Sequence, residues 1–283
     1  MSNAVRTQFR SSDGLTLVGD VLGPEGAPLV LLMHGGGQTR HSWAGAMRAL
    51  AAAGYRVVNL DARGHGESDW SASRAYFIAD WIKDIHAVID GAGVPCALVG
   101  ASMGGLTSIH AVGEGARPAA LVLVDIVPDM EPAGVQRIVG FMNAHHGGFA
   151  SLDEAADAVA AYYPERPRPK DPSGLMKNLR QREDGRLYWH WDPVMFAVED
   201  RSQFRDPLMR STEKLGQLPD VPVLVVRGKL SDIVSDTSVA SFRTKVPHAV
   251  AVDVSDAGHM VAGDKNDAFN AAVIGFLAEH LPL

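Results

Sequence analysis

The chain of 283 residues carries a single cysteine, Cys96, so it forms no internal disulfide and assembles no cysteine-based metal site. The apolar neighbours of Cys96, Val94-Pro95 and Ala97-Leu98-Val99, read as the surroundings of a buried, inert thiol. Long hydrophobic runs are also missing, and nothing approaches the roughly 20 apolar residues that span a bilayer. The opening Met1-Ser2-Asn3-Ala4-Val5-Arg6 has no apolar segment of the signal-peptide kind. The 26 Lys and Arg residues are scattered, no aromatics interleave with them, and the net charge is -7, which argues against nucleic acid as a partner. No internal repeat occurs, and the one biased tract is a proline-rich link at 164–172. These absences leave the expectation of a cytoplasmic monomer or homodimer. It should act on a small molecule, without a membrane, a metal or a cofactor.

What is present is enough apolar mass for a large core, with 46% hydrophobic and 21% charged residues. Short apolar runs at 28–33, 55–60, 95–99, 119–124, 221–226 and 248–254 read as strands. Several are continuously apolar, as in strands covered on both faces. Between them, 43–53, 76–92, 106–115, 237–246 and 268–280 read as amphipathic helices. Alternating β and α elements predict an α/β fold with a mostly parallel central sheet and helices on both faces. Residues 6–9 and 15–22, joined through Ser12-Asp13-Gly14, read as an edge hairpin.

The alternation fails between about 127 and 216, where helix-like pieces (132–143, 152–162) flank the proline link. A structureless loop of that length does not fit inside a compact domain. The stretch reads as a helical cap inserted between core strands. It divides the chain into an N-terminal core segment (1–126), the cap (127–216) and a C-terminal core segment (217–283).

Gly100-Ala101-Ser102-Met103-Gly104 follows an apolar strand and opens a helix. In that setting the glycines permit a strained turn that lifts the Ser102 hydroxyl above the sheet. A serine hydroxyl needs a base. His259, in Asp256-Ala257-Gly258-His259-Met260, lies just after a late strand and is the candidate. The base needs a carboxylate to hold its tautomer. Asp232, beyond the strand ending near Val226, gives the chain order Ser, Asp, His; Asp125 and Asp236 stand as alternatives. An oxyanion hole needs N–H donors, and His34-Gly35-Gly36-Gly37 after the first buried strand offers Gly36 first and Gly37 next. Met103, following the serine, offers the second donor, while His34 reads as a loop-fixing residue.

With these pieces in order, and with Asp61-Ala62-Arg63-Gly64-His65-Gly66-Glu67-Ser68 between them, the chain resembles the α/β-hydrolase superfamily over essentially its full length. The resemblance implies a serine hydrolase with the triad Ser102, Asp232 and His259, in which Arg63 and His65 are scaffold. Aspartate-nucleophile branches, the epoxide hydrolases and haloalkane dehalogenases, do not fit Ser102. The glycine run with Trp43 is similar to the carbon–carbon bond hydrolases of aromatic ring cleavage, although Met260 stands where those usually carry Trp. Cofactor-free haloperoxidases share the triad, so perhydrolysis is a candidate side activity. The expected reaction is cleavage of a carboxylic ester or lactone of a small, fairly apolar substrate through an acyl-enzyme. In the cap, Tyr188-Trp189-His190-Trp191 places Trp189 and Trp191 either as anchors to the core or, with Met260, in the substrate pocket.

Overall fold

The computed structural model describes residues 3–164, 167–197, 202–255, 257–259 and 266–283. Eight strands form one sheet: β1 (Val5–Arg10), β2 (Thr16–Leu22), β3 (Leu29–Met33), β4 (Arg56–Leu60), β5 (Cys96–Ala101), β6 (Ala120–Val124), β9 (Val223–Gly228) and β10 (Val250–Val254). Their order is β1-β2-β4-β3-β5-β6-β9-β10. The β1–β2 and β2–β4 pairs are antiparallel and every other pair is parallel. The central strands are apolar without alternation because both faces are covered. Leu29–Met33 and Ala120–Val124 are buried at every residue. One apolar cluster lies on each face of the sheet, with Leu31, Leu98 and Leu123 on one side and Leu32, Val99 and Val122 on the other. The N-terminal hairpin expected at the edge is β1–β2.

The core helices are α1 (Ala44–Ala52), α2 (Ile78–Ile89), α3 (Met103–Gly113), α7 (Asp236–Lys245) and α8 (Asn266–His280). The chain passes from β3 outward to β4 and then returns to the far side of β3 with β5. That reversal opens a crevice at the carboxyl ends of β3 and β5, the place where open α/β sheets bind ligands. The loops carrying the sequence candidates all leave from carboxyl ends: 34–39 after β3, Ser102 after β5, Asp125 after β6, Asp232 after β9 and His259 after β10.

The insertion begins after β6 with α4 (Pro132–Met142) and α5 (Leu152–Tyr162). Pro132 occupies the first turn of α4, where its missing N–H costs nothing. Ser151 caps α5 by accepting the Glu154 N–H at 3.1 Å. A two-stranded antiparallel ribbon follows, β7 (Leu179–Gln181) with β8 (Leu187–Trp189), so the insertion is not purely helical. Its last element, α6 (Ser202–Gly216), lies within the expected cap span yet packs along α3 on the core. There Ser211 Oγ meets His110 Nδ1 at 3.1 Å, and a Cβ on Gly113 would stand 2.6 Å from the Ser211 Cβ. Among the described residues, no helix is long and apolar enough to cross a membrane.

The elbow depends on close backbone approach. A Cβ on Gly104 would lie 2.5 Å from the Met33 carbonyl oxygen, and one on Gly100 would lie 2.4 Å from the Gly104 carbonyl carbon. Backbone cannot swing aside as a side-chain tip can. Gly104→Ala is therefore expected to lower stability by about 1–3 kcal/mol, the usual cost of overpacking. Urea denaturation checks this: the midpoint should fall while the slope stays constant.

Candidate active site

Ser102 sits between β5 and α3 with φ 46° and ψ -114°, a conformation that L side chains seldom adopt. Its N–H reaches the Val124 carbonyl at 3.4 Å and its carbonyl accepts from Leu106 at 3.0 Å, so the turn is pinned on both sides. The strand-to-helix transition leaves no room for relaxation, because Gly100, Gly104 and Gly105 are all in tight contact there.

His259 Nδ1 lies 2.7 Å from Asp125 Oδ2. The carboxylate beside the histidine is therefore Asp125 and not Asp232, which corrects the sequence expectation. Asp125 has no solvent exposure and a left-handed φ of 47°, which turns its side chain back over the carboxyl end of the sheet. Its Oδ1 accepts the Gly228 N–H at 2.9 Å, and Oδ2 also accepts the Ser231 hydroxyl at 2.5 Å. Ser231 Oγ in turn accepts the N–H groups of Ile233 and Val234, each at 3.1 Å. Asp232 points away. It pairs with Arg137 of α4 at 2.8 Å, with both side chains well exposed, and links the cap to the loop after β9. Asp236, the other alternative, is on the surface against Arg227.

Ser102, Met103, Gly35, Gly36, Gly37 and His259 border one cavity of about 460 Å³, within the range of small-molecule sites. The cap roofs it with Ile138, Phe141 and Met142 of α4 and with Trp189, Trp191 and Phe196. Trp189 and Trp191 stack at 4.9 Å with ring planes 10° apart. Both are buried in the cap's apolar cluster and both reach the cavity, so the anchor and pocket placements hold together. Met260, the third pocket candidate, lies outside the described residues.

The glycine loop is held by three buried histidines. His34 Nε2 accepts the Ala62 N–H at 3.0 Å while Nδ1 meets the Gly35 carbonyl at 2.8 Å. His65 Nε2 accepts the Gly37 N–H at 3.0 Å while Nδ1 meets the Arg63 carbonyl at 3.2 Å. His190 of the cap accepts the Gly66 N–H on Nδ1 at 2.7 Å and faces the Gly37 carbonyl through Nε2 at 3.3 Å. Each ring has one nitrogen accepting from backbone and one donating to it, which demands the neutral form. No nitrogen is left open for a metal. Burial pushes all three below the usual histidine range, His190 to about 3. The Gly37 N–H is thus committed to His65, which removes it from the oxyanion donors expected from the sequence. Gly36, packed under the Phe196 ring at 3.1 Å from where its Cβ would be, remains beside Met103.

The cap is tied down beside this loop by Asp192, which is fully buried. Its carboxylate accepts from Arg74 at 2.6 Å and from the Tyr76 hydroxyl at 2.9 Å, and its N–H donates to the Gly64 carbonyl at 2.9 Å. The long separation in sequence hides these contacts from any local motif.

Comparison with known proteins agrees with this architecture. The model of the alpha/beta hydrolase family matches residues 29–272. A 3-hydroxybutyrate-oligomer hydrolase of Cupriavidus necator is 30% identical over 219 residues, covering 72% of this chain and 73% of that protein. Esterase Rv0045c of Mycobacterium tuberculosis is 29% identical over 268 residues, covering 89% of this chain and 83% of that one. The crystal structure of an alpha/beta hydrolase from Novosphingobium aromaticivorans superposes with a TM-score of 0.79 at 25% identity, over 99% of this chain and all of that one.

The three neutral histidines make the fold sensitive to mild acid. In the unfolded chain each ring takes up a proton near 6.5, whereas in the folded chain burial keeps each ring neutral to lower pH, His65 and His190 well below that value. The unfolded state then binds more protons, so stability falls as pH drops below about 6.5, by at most about 1.4 kcal/mol per pH unit for each ring. Urea midpoints should decline between pH 7 and pH 5, above the range where carboxylates titrate. A flat profile there would contradict the neutral clamp.

Proposed function

The chain belongs to the alpha/beta hydrolase family, and on that premise we propose that it is a serine hydrolase of carboxylic esters. The Ser102 hydroxyl attacks the ester carbonyl carbon while His259 Nε2 takes its proton. Asp125 holds the Nδ1–H of His259 and stabilises the imidazolium that forms. The N–H groups of Gly36 and Met103 face the developing oxyanion. His259 returns the proton to the leaving alcohol, giving an acyl-enzyme, and water deprotonated by the same histidine then releases the acid. The observation that carries this reading is the 2.7 Å hydrogen bond from His259 to the buried Asp125, at the cavity that Ser102 also borders. Relatives named as an esterase and as a 3-hydroxybutyrate-oligomer hydrolase lend support at low identity. The apolar roof of Phe141, Trp189, Trp191 and Phe196 suits an apolar acyl or alkyl group.

Ser102→Ala is expected to fold normally and to lose turnover of short aryl esters together with labelling by a fluorophosphonate. Full retained activity would sink the mechanism. The two aspartates separate by a second pair of variants. Asp125→Asn should lower kcat by about 10⁴-fold, the loss known when a triad carboxylate is neutralised. Asp232→Asn should keep kcat and cost about 0–1 kcal/mol of stability, as for an exposed ion pair. The reverse ranking would assign the carboxylate role to Asp232.

A further inference from the structure

The wall of the cavity has a charge asymmetry that the ester reading does not use. Its described lining includes no aspartate or glutamate, although the whole chain has a net charge of -7. The one permanently charged side chain in it is Lys177, at the end of the short 3-10 turn Ser173–Asn178. Two nearby arginines are engaged elsewhere: Arg40 bridges Asp20, Asp61 and Glu67, and Arg137 holds Asp232. No carboxylate among the described residues pairs with Lys177. The turn that carries it is tied within the cap, where the Asn178 carbonyl accepts the His190 N–H at 3.1 Å, and to the core, where Asn178 Oδ1 faces the Thr39 hydroxyl at 3.4 Å. His41 lies within electrostatic reach of the ammonium and, like Ser42, lines the same cavity, so both offer hydrogen-bonding groups there. A solvent-exposed cation without a carboxylate partner, at a cavity whose roof is apolar and whose described lining holds no carboxylate, is an arrangement for an anion that carries an apolar chain.

We propose that Lys177, with His41 and Ser42 beside it, forms an anion subsite of the cavity, and that the natural ester carries a free carboxylate. Half-esters of dicarboxylic acids and esters of hydroxy acids are the chemical class that places an ester and a carboxylate on one short chain. The carboxylate rests against Lys177 while the ester lies at Ser102. The inference concerns the substrate of the serine-hydrolase reading, but its binding test does not depend on turnover.

The turnover arm compares p-nitrophenyl hydrogen glutarate with p-nitrophenyl valerate, a neutral ester of similar length. The ratio of their kcat/KM values should favour the anionic ester and shrink at high salt. In Lys177→Met the ratio should fall roughly tenfold, the loss of one charge-assisted hydrogen bond. Lys177→Arg should retain the preference and Lys177→Glu should invert it. The binding arm uses calorimetry on the Ser102→Ala protein with monomethyl glutarate and dimethyl glutarate. The monoanion should bind more tightly, and adding Lys177→Met should erase the difference. If the monoanion binds no more tightly than the diester, or if Lys177→Met leaves the kcat/KM ratio unchanged, the anion subsite is refuted. If the wild-type protein turns over neither aryl ester, the serine-hydrolase reading fails while the calorimetric arm still decides the subsite.

Discussion

A single carboxylate with no exposure to solvent, Asp125, gathers the carboxyl ends of three strands. It ends β6, accepts from Gly228 at the end of β9, holds Ser231 in the next loop, and faces His259 after β10. A buried carboxylate is costly unless its oxygens are satisfied, and here the partners are a backbone N–H, a hydroxyl and an imidazole. Removing any one of them leaves charge uncompensated. The orientation of His259 and the packing of β6 against β9 are therefore one and the same requirement. The remaining geometry is arranged around it, with Ser102 on the adjacent strand and the glycine loop on the strand beyond.

The cap contributes through rigid contacts rather than bulk. Gly37, in the left-handed region, sits so close to Met142 that a Cβ would be 2.1 Å from the methionine methyl. Trp191 packs over the same glycine, and His190 on the same segment faces its carbonyl while accepting the Gly66 N–H. The loop that offers the Gly36 N–H is thus clamped from the core by His34 and His65 and from the cap by His190. A preorganised donor of this kind needs no reorganisation when charge develops on a substrate oxygen.

Much of this is legible in the sequence for physical reasons. Continuous apolar runs mark the buried strands, and the elbow is readable because a strand, two glycines and a helix bracket Ser102. The position of the carboxylate is not. Asp232 sits in a polar loop that resembles a catalytic one, whereas Asp125 interrupts the apolar stretch from Leu121 to Val127, every residue of which is buried. That contrast is the available signal, since an aspartate flanked on both sides by core residues has to find a partner. Helix α6 is hidden in the sequence because Pro207 lies inside it and its apolar content is low. It packs through Leu208 and Leu215 in the core cluster and through the close approach of Ser211 to Gly113. The pairing of His65 with Gly37 likewise spans 28 residues and depends on loop shapes that composition does not encode.

The Arg137–Asp232 pair has a consequence for how this chain can vary. With the carboxylate at His259 supplied from β6, the loop after β9 reaches that hydrogen bond through Ser231 alone, and its one acidic side chain is spent on gripping α4. The carboxylate that faces His259 and the carboxylate that docks the lid thus follow different strands. The lid can be recharged through the exposed side chains of Arg137 and Asp232 while the hydrogen bond that aims the imidazole stays untouched.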